Sequence, residues 1–175
     1  MELVTLLDED GAELGSAPKD DVHTTDTPLH LAFSCYLVDD HGRLLVTRRA
    51  LSKRTWPGVW TNSFCGHPAP GEAAEDAIQR RAAQELGTRV ASLRVVLPGY
   101  RYRAVDASGI VENEICPVYV GRIDAALRPE PAEVAEHAWI SVEDAAHAVR
   151  SAPFAFSPWL REQLPLLVQA NGFLP

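Results

Sequence analysis

The chain has 175 residues and a formal net charge of −8, because 24 aspartates and glutamates outnumber 16 lysines and arginines. Hydrophobic residues make up 46% of the chain and charged residues 23%, so the composition excludes a disordered or collagen-like protein and predicts one folded domain. The acidic balance argues against a nucleic-acid scaffold held by phosphate neutralisation. No stretch approaches the roughly 18 consecutive apolar residues that a membrane span needs.

Cysteine usage and the first residues indicate a reducing compartment. Cys35, Cys65 and Cys116 form no CxxC pair and are too few for a disulfide framework or a four-cysteine zinc site. The amino-terminal residues are acidic and the first basic residue is Lys19, so neither a signal peptide nor a transit peptide is expected. We therefore expect a cytoplasmic protein, monomeric by default, with no nucleic-acid or membrane partner. Cys35 and Cys116 are expected to be small buried side chains.

The first third of the chain predicts strands. Residues 3–7 and 12–14 flank an Asp10-Gly11 turn and predict a hairpin. A stronger strand is predicted over residues 31–38, and the turn at residues 39–42 leads into a strand over residues 44–47. A proline-marked loop follows, and a short strand over residues 61–64 leads into Cys65-Gly66-His67.

The clearest predicted helix begins near residue 72 or 73 and ends at Leu86, with Gly87 as its carboxyl-terminal cap. Ile78, Ala82 and Leu86 recur every four residues and predict its buried stripe.

The remaining residues predict four more strands and two helices. The strands are expected over residues 90–97, 100–104, 109–120 and 139–140. Ser141 with Asp144 predicts a helix cap, Ser157-Pro158 opens the last helix, and Pro165 is expected to kink or restart it. Many strands with scattered helices predict a mixed α/β or α+β sandwich rather than a doubly wound sheet.

Residues 66–88 have the spacing of the Nudix box, a loop–helix–loop motif that binds a diphosphate through divalent metal, in Gly66, Glu72, Arg80, Glu85 and Gly87. An ordinary capped surface helix can match the same spacing by chance. Helix positions 81, 84 and 85 lie within one turn, where acids would present oxygens to one hard cation. Two of these positions hold Arg81 and Gln84, so the motif is damaged for nucleotide hydrolysis.

Other side chains can replace the missing acids. Residues of the types that bind metal ions are His23, His30, His67, Glu112 and Glu114. Strand alternation directs Glu112 and Glu114 to one side, and does the same for Cys65 and His67. Such a mixed nitrogen and oxygen site suits Mn²⁺, Zn²⁺ or Mg²⁺. The alternative is that these are separate surface or core groups.

Basic and aromatic residues also cluster. Arg48, Arg49, Lys53 and Arg54 place four of the sixteen bases within seven positions. They could face a diphosphate, joined by Lys19 and Arg81, or they could defend an exposed edge strand with charge. Large rings are mostly core residues, but one exposed face could stabilise a cation; the rings are Trp56, Trp60, Tyr102 and Trp159.

Several motifs in order make the chain resemble type 1 isopentenyl-diphosphate isomerase, a family of the Nudix superfamily, from about Leu3 to Trp159. They are His23-Thr-x-Asp26, His30-Leu-Ala-Phe33, Arg48-Arg-Ala-Leu-Ser-Lys53, Trp56-Pro-Gly-Val-Trp-Thr-Asn-Ser63, Cys65-Gly-His-Pro68, Arg101-Tyr-Arg103, Gly109-Ile-Val-Glu-Asn-Glu114 and Phe156-Ser-Pro-Trp159.

The resemblance implies a single Nudix-type domain over residues 1–175. Its mixed β-sheet sandwich is flanked by helices and has a core at about residues 28–160, with the amino-terminal hairpin and carboxyl-terminal helix packed on it. The implied activity interconverts isopentenyl diphosphate and dimethylallyl diphosphate by a 1,3-allylic proton shift in isoprenoid biosynthesis. A Nudix hydrolase and a non-catalytic metal- or phosphate-binding module remain as alternatives.

The resemblance also implies site roles. Cys65 and Glu114 are the catalytic groups on opposite faces of the substrate, Tyr102 sits by Glu114, and Trp159 shields the hydrocarbon end and faces the carbocation. One divalent metal is implied at His23, His30, His67, Glu112 and Glu114, with Cys65 beside it. A second ion, Mg²⁺, is implied at Glu85 on the diphosphate, whose oxygens are bound by Lys19, Arg49, Lys53 and Arg81.

Overall fold

The computed structural model describes residues 2–173, which form twelve strands and four α-helices. The strands are β1 (Leu3–Leu7), β2 (Glu13–Pro18), β3 (His30–Leu31), β4 (Phe33–Val38), β5 (Leu44–Arg49), β6 (Trp60–Thr61), β7 (Phe64–Gly66), β8 (Val90–Leu97), β9 (Arg101–Val105), β10 (Val111–Ile115), β11 (Val118–Ile123) and β12 (Val134–Ile140). The helices are α1 (Lys19–Val22), α2 (Ala74–Leu86), α3 (Val142–Ser151) and α4 (Pro158–Gln169).

The strands form two mixed sheets. The first has the order β2-β1-β3-β10-β9, and the second has the order β12-β5-β4-β11-β8, with β6 paired to β5 and β7 paired to β4. The predicted amino-terminal hairpin is confirmed, because β1 pairs antiparallel with β2 and then with β3. The mixed α+β class is therefore confirmed.

Two predicted strands are each divided between the sheets. The strand expected over residues 31–38 breaks at Ala32, and the one expected over residues 109–120 breaks at Cys116-Pro117. Pro117 has no backbone N–H and cannot continue the ladder. The broken segments cross together, since β3 pairs parallel with β10 and β4 pairs parallel with β11. The paired residues His30 and Glu114 therefore lie one residue before the ends of β3 and β10, next to the crossing into the second sheet.

The helix at the Nudix-box position is confirmed. It spans Ala74–Leu86, and Gly87 ends it with the positive φ of 60° that a residue without a side chain adopts readily. Its predicted stripe of Ile78, Ala82 and Leu86 is fully buried. The Gly66–Thr88 stretch thus folds as loop, helix and loop.

Other boundaries differ from expectation. Strand β12 extends back to Val134, because cross-strand pairing with β5 continues beyond the short apolar stretch. The last helix runs through Pro165, so it does not restart there, and the alternative that Pro165 kinks it stays a prediction. Its side chains Leu160, Leu164 and Leu167 are buried in the core, and this packing offsets the lost backbone bond.

Helix α1 and a 3₁₀ turn at Pro153–Ala155 were missed, since each spans one turn or less and shows no periodicity. Cys35 and Cys116 are buried, as expected. Within residues 2–173, no helix is long and apolar enough to cross a membrane.

Candidate active site

One cavity of about 370 Å³ collects most of the predicted site residues. Both sheets, α2 and α4 contribute to its walls. The predicted residues that line it are Lys19, His23, Arg49, Lys53, Cys65, His67, Arg81, Glu85, Tyr102, Glu112, Glu114 and Trp159. His30 is fully buried, with its ring centroid 5.2 Å from that of His67.

Four predicted metal-binding residues converge. The candidate ligand atoms of His23, His30, His67 and Glu114 all lie within 4.8 Å of one another. Glu114 Oε1 lies 3.2 Å from His67 Nε2 and 3.5 Å from His30 Nε2. The backbone explains this convergence, because His30 and Glu114 are register partners on the parallel strands β3 and β10, while His67 directly follows β7.

The polar atoms of this cluster fit a cation. His30 Nδ1 lies 2.9 Å from the Pro28 carbonyl oxygen, so this nitrogen carries a hydrogen, and in the neutral ring Nε2 carries the lone pair. His30 Nε2, His23 Nε2 and His67 Nδ1 are buried and make no hydrogen bond. Unpaired buried polar atoms are costly, and a divalent cation beside Glu114 would satisfy His23 Nε2 and His30 Nε2 together with the Glu114 oxygens.

The electrostatics of the cluster favour positive charge beside Glu114. Burial disfavours the charged forms of both His30 and Glu114. The contacts between the two side chains nevertheless raise the pKa of His30 and hold the pKa of Glu114 well below its usual range. Burial, with the neighbouring imidazoles, lowers the pKa of His23 to about 4. Near neutral pH the cluster therefore contains an anionic carboxylate and a neutral His23 ring.

Glu112 lies outside that group of four. Its Oε1 accepts a 2.6 Å hydrogen bond from Thr55 Oγ1, and its Oε2 accepts a 3.1 Å bond from the Tyr102 hydroxyl. Tyr102 was expected beside Glu114, and the two are register partners across β9 and β10, but the Tyr102 hydroxyl donates its hydrogen bond to Glu112. Burial and the nearby Glu114 charge raise the pKa of Glu112 to about 7.

The Cys65 thiol faces the same cavity from the second sheet. Its sulfur lies 3.3 Å from Asn62 Oδ1 and 3.4 Å from Ser34 Oγ. Burial raises the pKa of Cys65 to about 12, so the group is a protonated thiol near neutral pH in the free protein.

The predicted diphosphate-binding bases line one part of the cavity, and acids already contact several of them. Arg81 Nε donates to Glu85 over 2.9 Å, and Lys53 forms an ion pair with Glu133, which also lines the cavity. Lys19 pairs with Glu2 at 2.9 Å. An anionic ligand entering here meets cations that carboxylates hold in place.

An aromatic wall closes the cavity near Cys65. The buried Trp159 ring lies 5.4 Å from Trp56 and 5.8 Å from Tyr102, measured between centroids. Arg49 donates to the Thr55 carbonyl, and its guanidinium carbon lies 5.4 Å from the Trp159 ring centroid. The wall therefore offers an apolar surface next to a fixed cation.

The Nudix-box residues position the loop that carries His67. Arg80 donates two hydrogen bonds of 2.8 and 2.7 Å to the Glu72 carboxylate and a third, of 3.2 Å, to the His67 carbonyl oxygen. Gly66 allows the close approach of Phe33 and Arg81, since an added Cβ would lie 2.8 Å from each. Glu72, Arg80 and Gly66 therefore stabilise the backbone next to His67.

Further polar residues contact the site and were not predicted from the sequence: Ser34, Thr55, Asn62, Glu133 and Gln163. Asn62 was part of a motif that carried the resemblance, but its residue type alone indicated no partner. Ser34 lies within an apolar segment and Gln163 follows the charged Arg161 and Glu162, so the sequence gives no signal that either side chain reaches the site.

The NUDIX domain model matches residues 28–163. The chain is 62% identical over 171 residues to the isopentenyl-diphosphate Delta-isomerase of Paenarthrobacter aurescens (strain TC1), covering 98% of this chain and 93% of the relative. It is 59% identical over 173 residues to the isopentenyl-diphosphate Delta-isomerase of Kocuria rhizophila, covering 98% and 96%.

Solved structures show the same fold at low identity. DR0079 of Deinococcus radiodurans is 21% identical with a TM-score of 0.73, covering 94% of this chain and 98% of that one. The MutT protein of Methanosarcina mazei Go1 is 18% identical with a TM-score of 0.63, covering 82% and 96%. The chain therefore belongs to the NUDIX domain family and, within it, to the isopentenyl-diphosphate Delta-isomerases.

Proposed function

We propose that the chain interconverts isopentenyl diphosphate and dimethylallyl diphosphate by moving a double bond through proton addition and proton removal. The observation that supports this most strongly is the placement of Cys65 and Glu114 in one cavity, on β7 of the second sheet and β10 of the first. Two proton-transfer groups on different walls suit a substrate that gains a proton at one carbon and loses one at another.

The proton balance defines what these groups must do. In the forward direction one group donates a proton to the terminal methylene carbon, which leaves a tertiary carbocation. The other group then removes a proton from the carbon two positions along the chain, and the new double bond forms. In the free protein the thiol holds a proton and the Glu114 carboxylate does not. The roles exchange when the reaction runs backward.

The His/Glu cluster is proposed to hold a divalent metal, and its ligands would be His23, His30, His67 and Glu114, with Glu112 adjacent. Mn²⁺, Zn²⁺ and Mg²⁺ all suit this mixture of nitrogen and oxygen donors. The ion supplies positive charge beside the Glu114 carboxyl. Tyr102 and Thr55 restrain Glu112 next to it.

The basic side of the cavity is proposed to bind the diphosphate through Lys19, Arg49, Lys53 and Arg81, with Mg²⁺ at Glu85. Arg81 and Gln84 occupy helix positions where the hydrolytic motif carries acids. A guanidinium binds phosphate oxygens and cannot ligate a metal, so this substitution favours holding the diphosphate over cleaving it.

The aromatic wall is proposed to protect the hydrocarbon end. Trp159 and Trp56 exclude water from the region between the two proton-transfer groups, which limits capture of the carbocation by water. The π face of Trp159 attracts a nearby cation, a contribution on the order of 1–2 kcal/mol in a site without water.

The cytoplasmic location and the monomeric state stay predictions.

A product assay tests the proposal. Purified protein is incubated with isopentenyl diphosphate, Mg²⁺ and Mn²⁺, and mild acid is added, because it hydrolyses the allylic isomer selectively. We expect acid-labile product and no phosphate before acid treatment. Phosphate released before acid treatment would instead identify a hydrolase, and an unchanged substrate with metal bound would identify a binding module.

A further inference from the structure

Two side chains contact the Cys65 sulfur from the protein interior. Asn62 Oδ1 lies 3.3 Å and Ser34 Oγ 3.4 Å from the sulfur. Asn62 and Ser34 are both fully buried. Neither is among the described residues that line the cavity, so each can affect a bound ligand only through a neighbouring side chain.

The orientation of the Asn62 amide is fixed by its partners. Its Nδ2 donates to the carbonyl oxygens of Cys35 and Phe64 over 3.0 and 2.7 Å, and these carbonyls cannot donate in return. Oδ1 must therefore face Cys65 and the Trp159 indole N–H, which donates to it over 2.9 Å. The thiol hydrogen consequently points to Asn62.

Ser34 is held from the other direction by Gln163 of α4. Gln163 Nε2 donates to Ser34 Oγ over 2.9 Å, and Gln163 Oε1 accepts from the Tyr36 hydroxyl over 2.9 Å. Ser34 has one hydroxyl hydrogen, and the Cys65 and Cys116 sulfurs lie at the same distance of 3.4 Å. The Ser34 hydroxyl can therefore donate its hydrogen bond to the sulfur of Cys65 or to that of Cys116.

We infer that Asn62 and Ser34 are positioning residues that set the direction of the Cys65 sulfur, and that helix α4 fixes both of them through Trp159 and Gln163. This inference rests on the proposed role of Cys65 in proton transfer. Proton transfer to carbon requires the reacting atoms in close contact and alignment, and a misplacement of about 1 Å can cost about 100-fold in rate. The network holds the sulfur with two hydrogen-bond partners instead of leaving its rotamer free.

The test compares Ser34→Ala and Gln163→Met with Ser63→Ala. Ser63 is an equally buried serine with two hydrogen bonds, to Leu37 N and the Leu45 carbonyl, and neither reaches Cys65. The measurements are kcat and KM for isopentenyl diphosphate and the infrared S–H stretching band of Cys65, assigned by subtracting the spectrum of Cys65→Ala. Asn62→Ala is measured as well if that variant folds. If it does not fold, the result for Ser34→Ala decides the test.

We expect Ser34→Ala and Gln163→Met to shift the S–H band and to lower kcat about tenfold, with KM changed less than about twofold. Ser63→Ala should lower the melting temperature but leave kcat and the band unchanged. An unshifted band, or a shifted band with unchanged kcat, overturns the inference. If the parent protein isomerises nothing, the proposed function fails, and the band alone decides whether this network holds the sulfur.

Discussion

Glu114 and His30 are register partners on neighbouring parallel strands, and the Glu114 carboxylate lies 3.5 Å from a histidine nitrogen that has no hydrogen-bond partner. Both side chains are buried. The short β3–β10 pair therefore fixes a carboxylate beside an unpartnered imidazole nitrogen, an arrangement that a bound cation stabilises.

The first prediction concerns metal removal and Glu114→Gln. Saturating the chelated parent protein with Mn²⁺ at 100 times its dissociation constant should add about 2.7 kcal/mol of stability. For a chain of this size that gain raises the melting temperature by roughly 5–10 °C. Glu114→Gln should lose most of this rise and also lose turnover, as measured by calorimetry and by the product assay.

Glu143→Gln is the matched control, because Glu143 is an exposed glutamate in the first turn of α3. It should keep both the metal-dependent rise and the activity. A full metal-dependent rise in Glu114→Gln would remove Glu114 from the ligand set.

The second prediction concerns Cys65→Ala. Because the thiol is one of two proposed proton-transfer groups, its loss should reduce kcat at least about 100-fold. The metal-dependent rise in melting temperature should remain, since the four clustered ligand residues do not include Cys65. Normal turnover in this variant would exclude Cys65 from the mechanism.

Most of the site residues could be predicted because they belong to long motifs that are recognisable in the sequence. The helix Ala74–Leu86 could be predicted as well, because an apolar stripe and a capping glycine mark it locally. The crossing could not be predicted, since the apolar pattern continues through Ala32, and Pro117 marks a break in the other strand but no change of sheet. Only the pairing of strands shows that each segment changes sheet.

The polar partners inside the site are equally hidden from the sequence. Gln163 and Ser34 are 129 positions apart, and neither residue type identifies the other. The bond from Tyr102 to Glu112 depends on side-chain directions in a twisted strand pair, where register alone favoured Glu114. Such contacts follow from packing in three dimensions.

The third prediction concerns Gly66→Ala. The added methyl group would meet Phe33 and Arg81 at 2.8 Å, so one of the two must move. We expect a loss of about 1–3 kcal/mol in the free energy of unfolding, measured with urea.

Gly99→Ala serves as the control for Gly66→Ala, because nothing lies within 4 Å of its added Cβ. Its stability should change by less than about 0.5 kcal/mol. Equal stabilities of the two variants would contradict the close packing at Gly66.

The fourth prediction concerns the pH dependence of the chelated protein. The pKa of His23 is about 4 in the folded chain, against about 6.5 for an unperturbed histidine. The unfolded chain thus binds more protons between these values, and the contribution of His23 to stability is lost as pH falls through this window. Unfolding of the parent and of His23→Gln between pH 7 and pH 4 should show a steeper loss in the parent. Parallel curves would contradict the assignment.

An NMR time course in D₂O distinguishes a chain that moves a proton from one that cleaves a diphosphate. The protein is supplied with isopentenyl diphosphate, Mg²⁺ and Mn²⁺, and carbon, proton and phosphorus signals are followed together. We predict dimethylallyl diphosphate with deuterium incorporated and no free phosphate. Release of phosphate without the allylic isomer would contradict this prediction, as would unchanged substrate in the presence of bound metal.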